Sequence, residues 1–586
     1  MAFQISPGVN VSEIDLTTVV PAVSTTAGAF AGPFQWGPVG RRTLVSHETD
    51  LVNKFGNPDG NTATSFFSAA NFLAYGNNLQ VVRAANSNSR NASSNTNNLL
   101  TINNVDVYDT TYVVDTLGQT FVARYPGALG NSLKVSVWDS NTANANTLSG
   151  NTFTSWTYKS YFPAAPNTSS FVASSGGAND QFHLVVIDED GLFSQGAKGA
   201  VLEVFPYLSK ASNATGDDGS TSYYRTVLRE QSKYIYALGP VDPANTSATW
   251  GQTANTQFSG CFMAAANTGS TVSLANGTNL PLTTADYTRG YSEFTNPDVV
   301  DISLIITGDA GVSSNTISPN TAIETVQQYT IDSIAAARKD CITFLSPPQS
   351  GIVGGATPET SVTTWITTLS RASTYAVADC GWKYQFDKYN NVYRWIPLNG
   401  DIAGLCVRTD QTRDPWFSPA GVSRGAIKNV VKLAWNPTQA QRDAIYSIGV
   451  NPVVSFPGQG TILYGDKTLI TQPSAFSRIN VRRLFIVLEK AIASASKFSL
   501  FELNDEFTRA QFIALVEPFL RDVKGRRGIY DYRVVCDTTN NTPEVIDGNK
   551  FIGDIYIKPA RSINYIQLNF IAVRSGVQFS EIVGGV

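Results

Sequence analysis

Gly421-Val422-Ser423-Arg424-Gly425 has the spacing of a nucleophile elbow, the strained strand-to-helix turn that lifts a serine hydroxyl clear of a hydrolase sheet. In that chemistry the acid and the histidine follow the serine along the chain. The only histidines, His47 and His183, both precede Ser423, so that order is unavailable and a tight turn is the reading that stands. Gly460-Thr461-Ile462-Leu463-Tyr464-Gly465-Asp466-Lys467-Thr468 nearly matches a phosphate-cradling loop, in which lysine directly follows the second glycine. Asp466 intervenes here and would repel phosphate, and no helical pattern follows. Gly308-Asp309-Ala310-Gly311 ends an apolar run without the dinucleotide-binding spacing of glycines. Asp188-Glu189-Asp190-Gly191 and Asp217-Asp218-Gly219 carry carboxylates, but neither has the ligand spacing of an EF-hand, so ordinary Asp-Gly turns are expected. His47 and His183 lack cysteine or glutamate companions and are expected at the surface or in local hydrogen bonds. Five cysteines, Cys261, Cys341, Cys380, Cys406 and Cys536, include no C-x-x-C pair and read as buried reduced thiols. No catalytic residue, cofactor or metal site is expected from these patterns.

The elements around these segments must come from a large chain. At 586 residues several domains are expected, and 42% hydrophobic residues with 11% aromatics suffice for packed cores. Charged residues make up 15%, below the ~25% usual in soluble domains. Asn, Ser, Thr and Gly take their place, as in the 86–98 tract. Such a surface fits long polar loops, or a subunit largely covered by copies of itself, because subunit contacts deplete charge. A net charge of -4 offers nucleic acid no basic footprint. Charge is uneven, however: from Val481 onward there are 14 Lys/Arg against 12 Asp/Glu, and before it 28 against 34. The beginning of the chain lacks a signal-peptide layout, and no apolar run approaches ~20 residues, so no membrane insertion is expected.

Val9, Val11, Ile14 and Leu16 alternate with polar residues up to Pro21, a strand pattern with no nearby hairpin partner. Phe66, Phe67, Ala70, Leu73 and Ala74 share a helical face stopped at Gly76, and Leu79 to Val82 reads as a buried strand. From the 86–98 tract to about 295 short alternating stretches, such as 133–138 and 182–187, predict a β-rich insertion. Val300 to Ile306, the helical face Ile323, Val326, Thr330, Ile331 and Ile334, and the 341–345 run predict a β-α-β unit with parallel strands. Trp382 to Pro397 predicts a hairpin turning at Asn390-Asn391, and Thr438 to Gln441 a capped helix closed by Gly449. Two amphipathic helices follow, on Val481, Leu484, Phe485, Leu488 and Ile492, and on Phe512, Leu515, Val516, Phe519, Leu520 and Val523, with Pro518 bending the second. Strands are expected at 530–536 and 551–558. The end of the chain, where Ile566, Leu568, Phe570 and Ala572 alternate and Val577 and Phe579 follow, is again extended.

Trp416-Phe417-Ser418-Pro419-Ala420-Gly421 lies between Gly400-Asp401-Ile402-Ala403-Gly404 and the Gly458 to Thr468 segment. Ser6-Pro7-Gly8-Val9, Phe34-Gln35-Trp36-Gly37-Pro38, Asp50 to Gly56, and Tyr125-Pro126-Gly127 precede them. In this order the segments resemble the contractile tail sheath proteins of bacteriophages, in their T-even-like branch. The resemblance implies a non-enzymatic structural subunit that polymerises as stacked hexameric rings around a tail tube and contracts to drive it through the host envelope. It implies a mixed α/β multidomain fold with a discontinuous core: an N-terminal arm over 1–20, core over 21–95 and 299–480, a β-rich outward insertion over 96–298, a tube-facing α/β domain over 481–563 and a C-terminal arm over 564–586. The partners it implies are further copies of the chain, the tail tube protein, and baseplate and tail terminator proteins, with assembly in the host cytoplasm and residence in the virion. The sheath of a phage-tail-like bacteriocin or a secretion-system device is the alternative. Strand addition between subunits would use the two terminal patterns. Arg482, Arg483, Arg521, Lys524, Arg526 and Arg527, the densest basic stretches, read either as solvated helix ends or as a cationic face toward an acidic partner, for which the resemblance suggests the tube.

Overall fold

The computed structural model describes residues 26–94, 100–112, 121–140, 153, 156–238, 249–259, 271–309, 321–564 and 567. The terminal strand patterns, Val9 to Leu16 and Ile566 to Phe579, lie outside these apart from Gln567. The described residues form two compact units. The smaller holds Trp416–Ser418 and the chain from Ala495, and the larger holds the rest.

The larger unit is built on a seven-stranded sheet. Its order is Val450–Asn451, Ala376–Asp379, Ile342–Leu345, Leu304–Ile306, Gly28–Gly32, Leu79–Arg83, Arg42–Val45. All neighbours are parallel except Arg42–Val45, which pairs antiparallel with Leu79–Arg83 at the edge. The sheet therefore combines strands from 28–83 with strands from 304–451, and Gly28–Gly32, buried throughout, is the seam. Parallel pairing needs covered faces, and the helices between the strands supply them. The expected Val300–Ile306 strand is confined to Leu304–Ile306, while the helical face at Ile323, Val326, Thr330, Ile331 and Ile334 is buried as expected. That helix runs from Thr321 to Tyr329 and passes into a π-helical turn over Thr330–Ala335, where the Thr330 hydroxyl donates to the Gln327 carbonyl at 2.8 Å.

The helix Ala63–Leu73 was expected to bury one face, yet all eleven of its residues are buried. The strand Leu79–Arg83, the strand Val392–Pro397 and the helix Asn399–Thr412 all pack on it. Gly400 and Gly404 allow the helix crossing. A Cβ on Gly400 would lie 2.3 Å from the Ser68 carbonyl oxygen, and one on Gly404 would lie 2.4 Å from the Tyr75 ring. The hairpin Trp382–Asp387 with Val392–Pro397 turns at Asn390-Asn391, Asn391 taking a positive φ, and Lys432–Leu433 adds a third strand. Thr438 and Gln441 form the expected capping box on Gln439–Ser447.

Between the two halves of the sheet, the chain forms a four-stranded antiparallel sheet: Ala200–Ser209, Gln181–Asp188, Leu133–Asp139, Thr271–Ser273. It returns to the seven-stranded sheet ahead of 298, because Tyr287 and Tyr291 of helix Thr284–Ser292 share a core cluster with Ala29, Ala31 and Val82. In the smaller unit the helix Glu506–Gly525 buries Phe512, Val516, Leu520 and Val523 and leaves Pro518 exposed. The strands Ile529–Val535 and Asp554–Pro559 pair beside it. Position 481 falls within helix Ile479–Ser496, and the smaller unit begins at Ala495.

Candidate functional site

The described segments whose spacing suggested chemistry have architectural roles, while Cys261, Ala310 and Gly311 lie outside the described residues. Gly421 to Gly425 is a closed turn: the Gly425 N–H donates to the Gly421 carbonyl at 2.7 Å, Gly421 has a φ of 95°, and the next helix starts only at Gln439. Gly460–Leu463 is a strand paired antiparallel with Val453–Phe456, and Asp466 is ion-paired with Arg478 at 3.0 Å. Asp188 is a buried loop organiser. Its carboxylate accepts from the Gly191, Leu192, Phe193 and Ser194 amides and from the Ser132 and Ser194 hydroxyls. Burial raises its pKa, but these donors outweigh that and hold it below the usual carboxylate range. Asp218 accepts from the Ser220 amide and hydroxyl in a turn at Gly219. His183 is buried and stacked on Phe162. Its Nδ1 accepts from the Tyr207 N–H at 3.1 Å, which makes Nε2 the donor to the Ala164 carbonyl at 2.8 Å. His47 is exposed at the start of helix Glu48–Phe55, its Nδ1 2.7 Å from the Ser46 hydroxyl. Cys341, Cys380, Cys406 and Cys536 are buried free thiols, and burial pushes Cys380 and Cys406 up to about 12.

Two polar networks lie in the interior of the larger unit. Lys383 stands 2.9 Å from the Asp401 carboxylate, to which the Tyr75 hydroxyl donates at 3.2 Å. Nearby in sequence, Asp379 accepts from Ser346 at 2.6 Å and from the Gly381 amide at 3.0 Å, and Ser346 in turn accepts from the Asn399 amide. Burial pushes Asp379 up to about 8. Both networks are enclosed, so they tie the hairpin and helix Asn399–Thr412 to the sheet rather than face a substrate. Arg83 does the same at the base of the four-stranded module. Fully buried, it donates to the carbonyls of Phe34, Gln35, Gly37 and Pro126. Sequence reading missed this residue because a lone arginine in a strand carries no local signal.

The basic candidates divide. Arg482 and Arg483 are 5% and 4% exposed, which corrects their expected place on a tube-facing surface. Arg483 is ion-paired with Asp410 and donates to the Cys406 carbonyl, while Arg482 lies over Tyr375 and Phe476 and donates to Thr374 and Tyr375. Arg521, Lys524, Arg526 and Arg527 are exposed. Lys524 meets Asp531 at 2.9 Å, and Arg526 meets Asp522 at 3.3 Å and lies over Trp416, whose Nε1–H donates to the Arg526 carbonyl. Two apolar surfaces went unremarked in the sequence: the outer face of the Trp382–Pro397 hairpin and the turn from Phe498 to Phe507. The first was visible as alternation of aromatic with polar residues. The second has no period, only its density of Phe and Leu.

Three family models match in chain order: the tail sheath protein Gp18 domain III N-terminal region over residues 25–84, the phage tail sheath protein central domain over 281–469, and the phage tail sheath C-terminal domain over 471–572. The tail sheath protein of Vibrio phage KVP40 is 35% identical, covering 99% of this chain and 100% of that one. This chain belongs to the phage tail sheath proteins. The tail sheath protein of Enterobacteria phage T4 is 36% identical, with 99% of each chain covered. Among solved structures, the sheath tail protein of Listeria innocua has a TM-score of 0.51 at 11% identity, covering 92% of this chain and 96% of that one. That of Desulfitobacterium hafniense has a TM-score of 0.51 at 11% identity, with 95% and 100% covered. These two share its mixed α/β fold. In this sheath protein three of the segments that carried the resemblance are joints: Gly400 and Gly404 lie at a helix crossing, and Phe34 to Gly37 and Pro126 meet on Arg83.

Proposed function

We propose that this protein is the repeating subunit of a phage contractile tail sheath, stacked as hexameric rings around a tail tube and contracting to push the tube through the host envelope. The full-length identity to tail sheath proteins of phages is the observation that carries this reading. Tail sheath relatives are structural proteins, and a non-enzymatic role follows. The tube, baseplate and tail terminator proteins are the proposed partners, with assembly in the host cytoplasm and residence in the virion. A gene neighbourhood encoding capsid and terminase distinguishes a phage tail from a related injection device.

The division of labour we propose keeps the seven-stranded sheet as the core, with the 96–298 segment, less its last helix, as an outward module. The terminal segments 1–20 and 564–586 act as arms adding strands to neighbouring subunits, and the unit from Ala495 faces the tube. Strand addition suits a lattice that must rearrange, because backbone hydrogen bonds, each about 0.5–1.5 kcal/mol net, do not depend on the side chains of a moving neighbour. New inter-subunit area buried on contraction supplies the driving free energy. Electron microscopy of the purified protein should show sheath-like tubules without any cofactor. Deleting residues 1–20 should leave a folded, soluble protein that forms none. Regular tubules from the truncated chain would remove the arm from the mechanism, and outright unfolding would place it in the core.

A further inference from the structure

The turn joining the last two long helices exposes a set of side chains that a soluble surface does not ordinarily show. Phe498, Leu500, Phe501, Leu503 and Phe507 are all more than three-fifths exposed within ten residues. The turn is built, not loose. Asn504 donates to Asn541 at 3.1 Å and to the Lys550 carbonyl at 2.8 Å, and accepts from Arg509 at 2.9 Å. Phe501 holds a φ of 72°, an outlier conformation for a bulky residue, and is the most exposed of the set. Between Lys497 and Phe507 the exposed charges are Glu502, Asp505 and Glu506 against Lys497, and the buried Arg509 lies beside Asp505.

The outer face of the hairpin in the larger unit is the chemical complement. Tyr384, Phe386, Tyr393 and Trp395 occupy it, because Lys383, Gln385 and Asp387 point inward and are buried. Their rings form a continuous strip, with centroids 4.7 Å apart for Tyr384–Trp395, 5.4 Å for Tyr384–Tyr393 and 5.1 Å for Phe386–Tyr393. Lys432 crosses its end, 5.1 Å from the Tyr384 centroid and 5.6 Å from that of Trp395. Tyrosine and tryptophan are among the residue types enriched in interface hot spots.

We propose that the Phe498–Phe507 turn of one subunit docks on the Tyr384/Phe386/Tyr393/Trp395 strip of a second copy. This rests on the sheath reading, since a homopolymer presents both surfaces on every subunit. The acidic turn and the lysine-bearing strip are complementary in charge as well as in apolarity. Two different patches allow a heterologous contact, the kind that propagates into a ring or helix.

The test is a charge exchange between two separately purified proteins. Glu502→Lys and Lys432→Glu should each raise the concentration needed for tube-free polymerisation by about fivefold, since each puts like charges together. An equimolar mixture should polymerise near the wild-type threshold, because subunits that alternate meet only matched pairs. Rescue by mixing requires contact between copies. Phe501→Asn, which relieves the backbone strain, should fold normally and raise the threshold about tenfold. A mixture no better than its components, or Phe501→Asn polymerising like wild type, would overturn the contact. Loss confined to assembly on tubes would also overturn it and make the turn a tube contact. Absence of polymer from the wild-type chain would overturn the sheath reading and this contact with it, whereas a normal wild-type polymer with an unimproved mixture overturns the contact alone.

Discussion

Arg482-Arg483 and Arg521 to Arg527 look alike in the sequence, both basic runs in amphipathic helices, and the fold treats them in opposite ways. The first pair is enclosed by Tyr375, Phe476 and Asp410, and the second set stands in solvent with exposed carboxylates for neighbours. What separates them is supplied from elsewhere: Asp410 lies 73 residues before Arg483 and Tyr375 lies 107 before Arg482. A cationic run is therefore a surface only where no distant element covers it. In the larger unit these charges hold distant elements together, while in the C-terminal unit they pair with near neighbours at the surface.

The sharpest way to break this contrast is Arg483→Met. It leaves Asp410, only 12% exposed, with the Thr26 hydroxyl but without its guanidinium, and removing one partner of a buried pair costs about 3–5 kcal/mol. Chemical denaturation should show a loss of that order, partly recovered in Arg483→Met/Asp410→Leu, where neither charge remains. A loss below about 1 kcal/mol would mean that Arg483 is no more structural than the exposed set.

The elements that periodicity could reach were legible. The parallel β-α-β unit, the hairpin at Asn390-Asn391, the Thr438 capping box and the C-terminal helices with their strand pair follow from local patterns. What could not be read depends on separation along the chain. Nothing near Gly28–Gly32 says that it will sit beside Leu304–Ile306, and nothing near Ala63–Leu73 says that a second helix will seal its far face. The same limit governs the candidate surface. Exposure of Lys524 and burial of Arg483 are decided by what packs over each, and the resemblance to sheath proteins gives the assembly without giving those contacts.

Buried and exposed charges should also differ in their response to pH. Asp379 has its pKa raised from 3.8 to about 8 by burial, so the folded protein holds that proton more tightly than the unfolded chain does. The stability it contributes is complete below the unfolded value and is lost as pH rises through about 8. Asp379→Asn removes this dependence. Relative to the wild type, the variant should gain about 4 kcal/mol between pH 5 and pH 8.5 in urea denaturation, since the wild type loses about 1.4 kcal/mol per pH unit up to its folded value. A stability difference that is the same at both pH values would show that Asp379 does not titrate in this window.

The smallest effect on stability, and the most selective effect on assembly, belongs to the exposed set. Lys524→Glu/Arg526→Glu/Arg527→Glu replaces side chains whose ion pairs, with Asp531 at 2.9 Å and Asp522 at 3.3 Å, are open to solvent. Such pairs contribute about 0–1 kcal/mol and are screened by salt, so the denaturation midpoint should move little. If these residues face an acidic tube surface, reversal should weaken sheath assembly on tubes, while tube-free polymerisation of the same protein proceeds. High salt should reproduce the defect in the wild type. Equal loss of both kinds of assembly would put the residues in contacts between sheath subunits. Unchanged assembly on tubes would leave them as solvated helix ends, and the contrast with Arg482-Arg483 would then be one of burial alone.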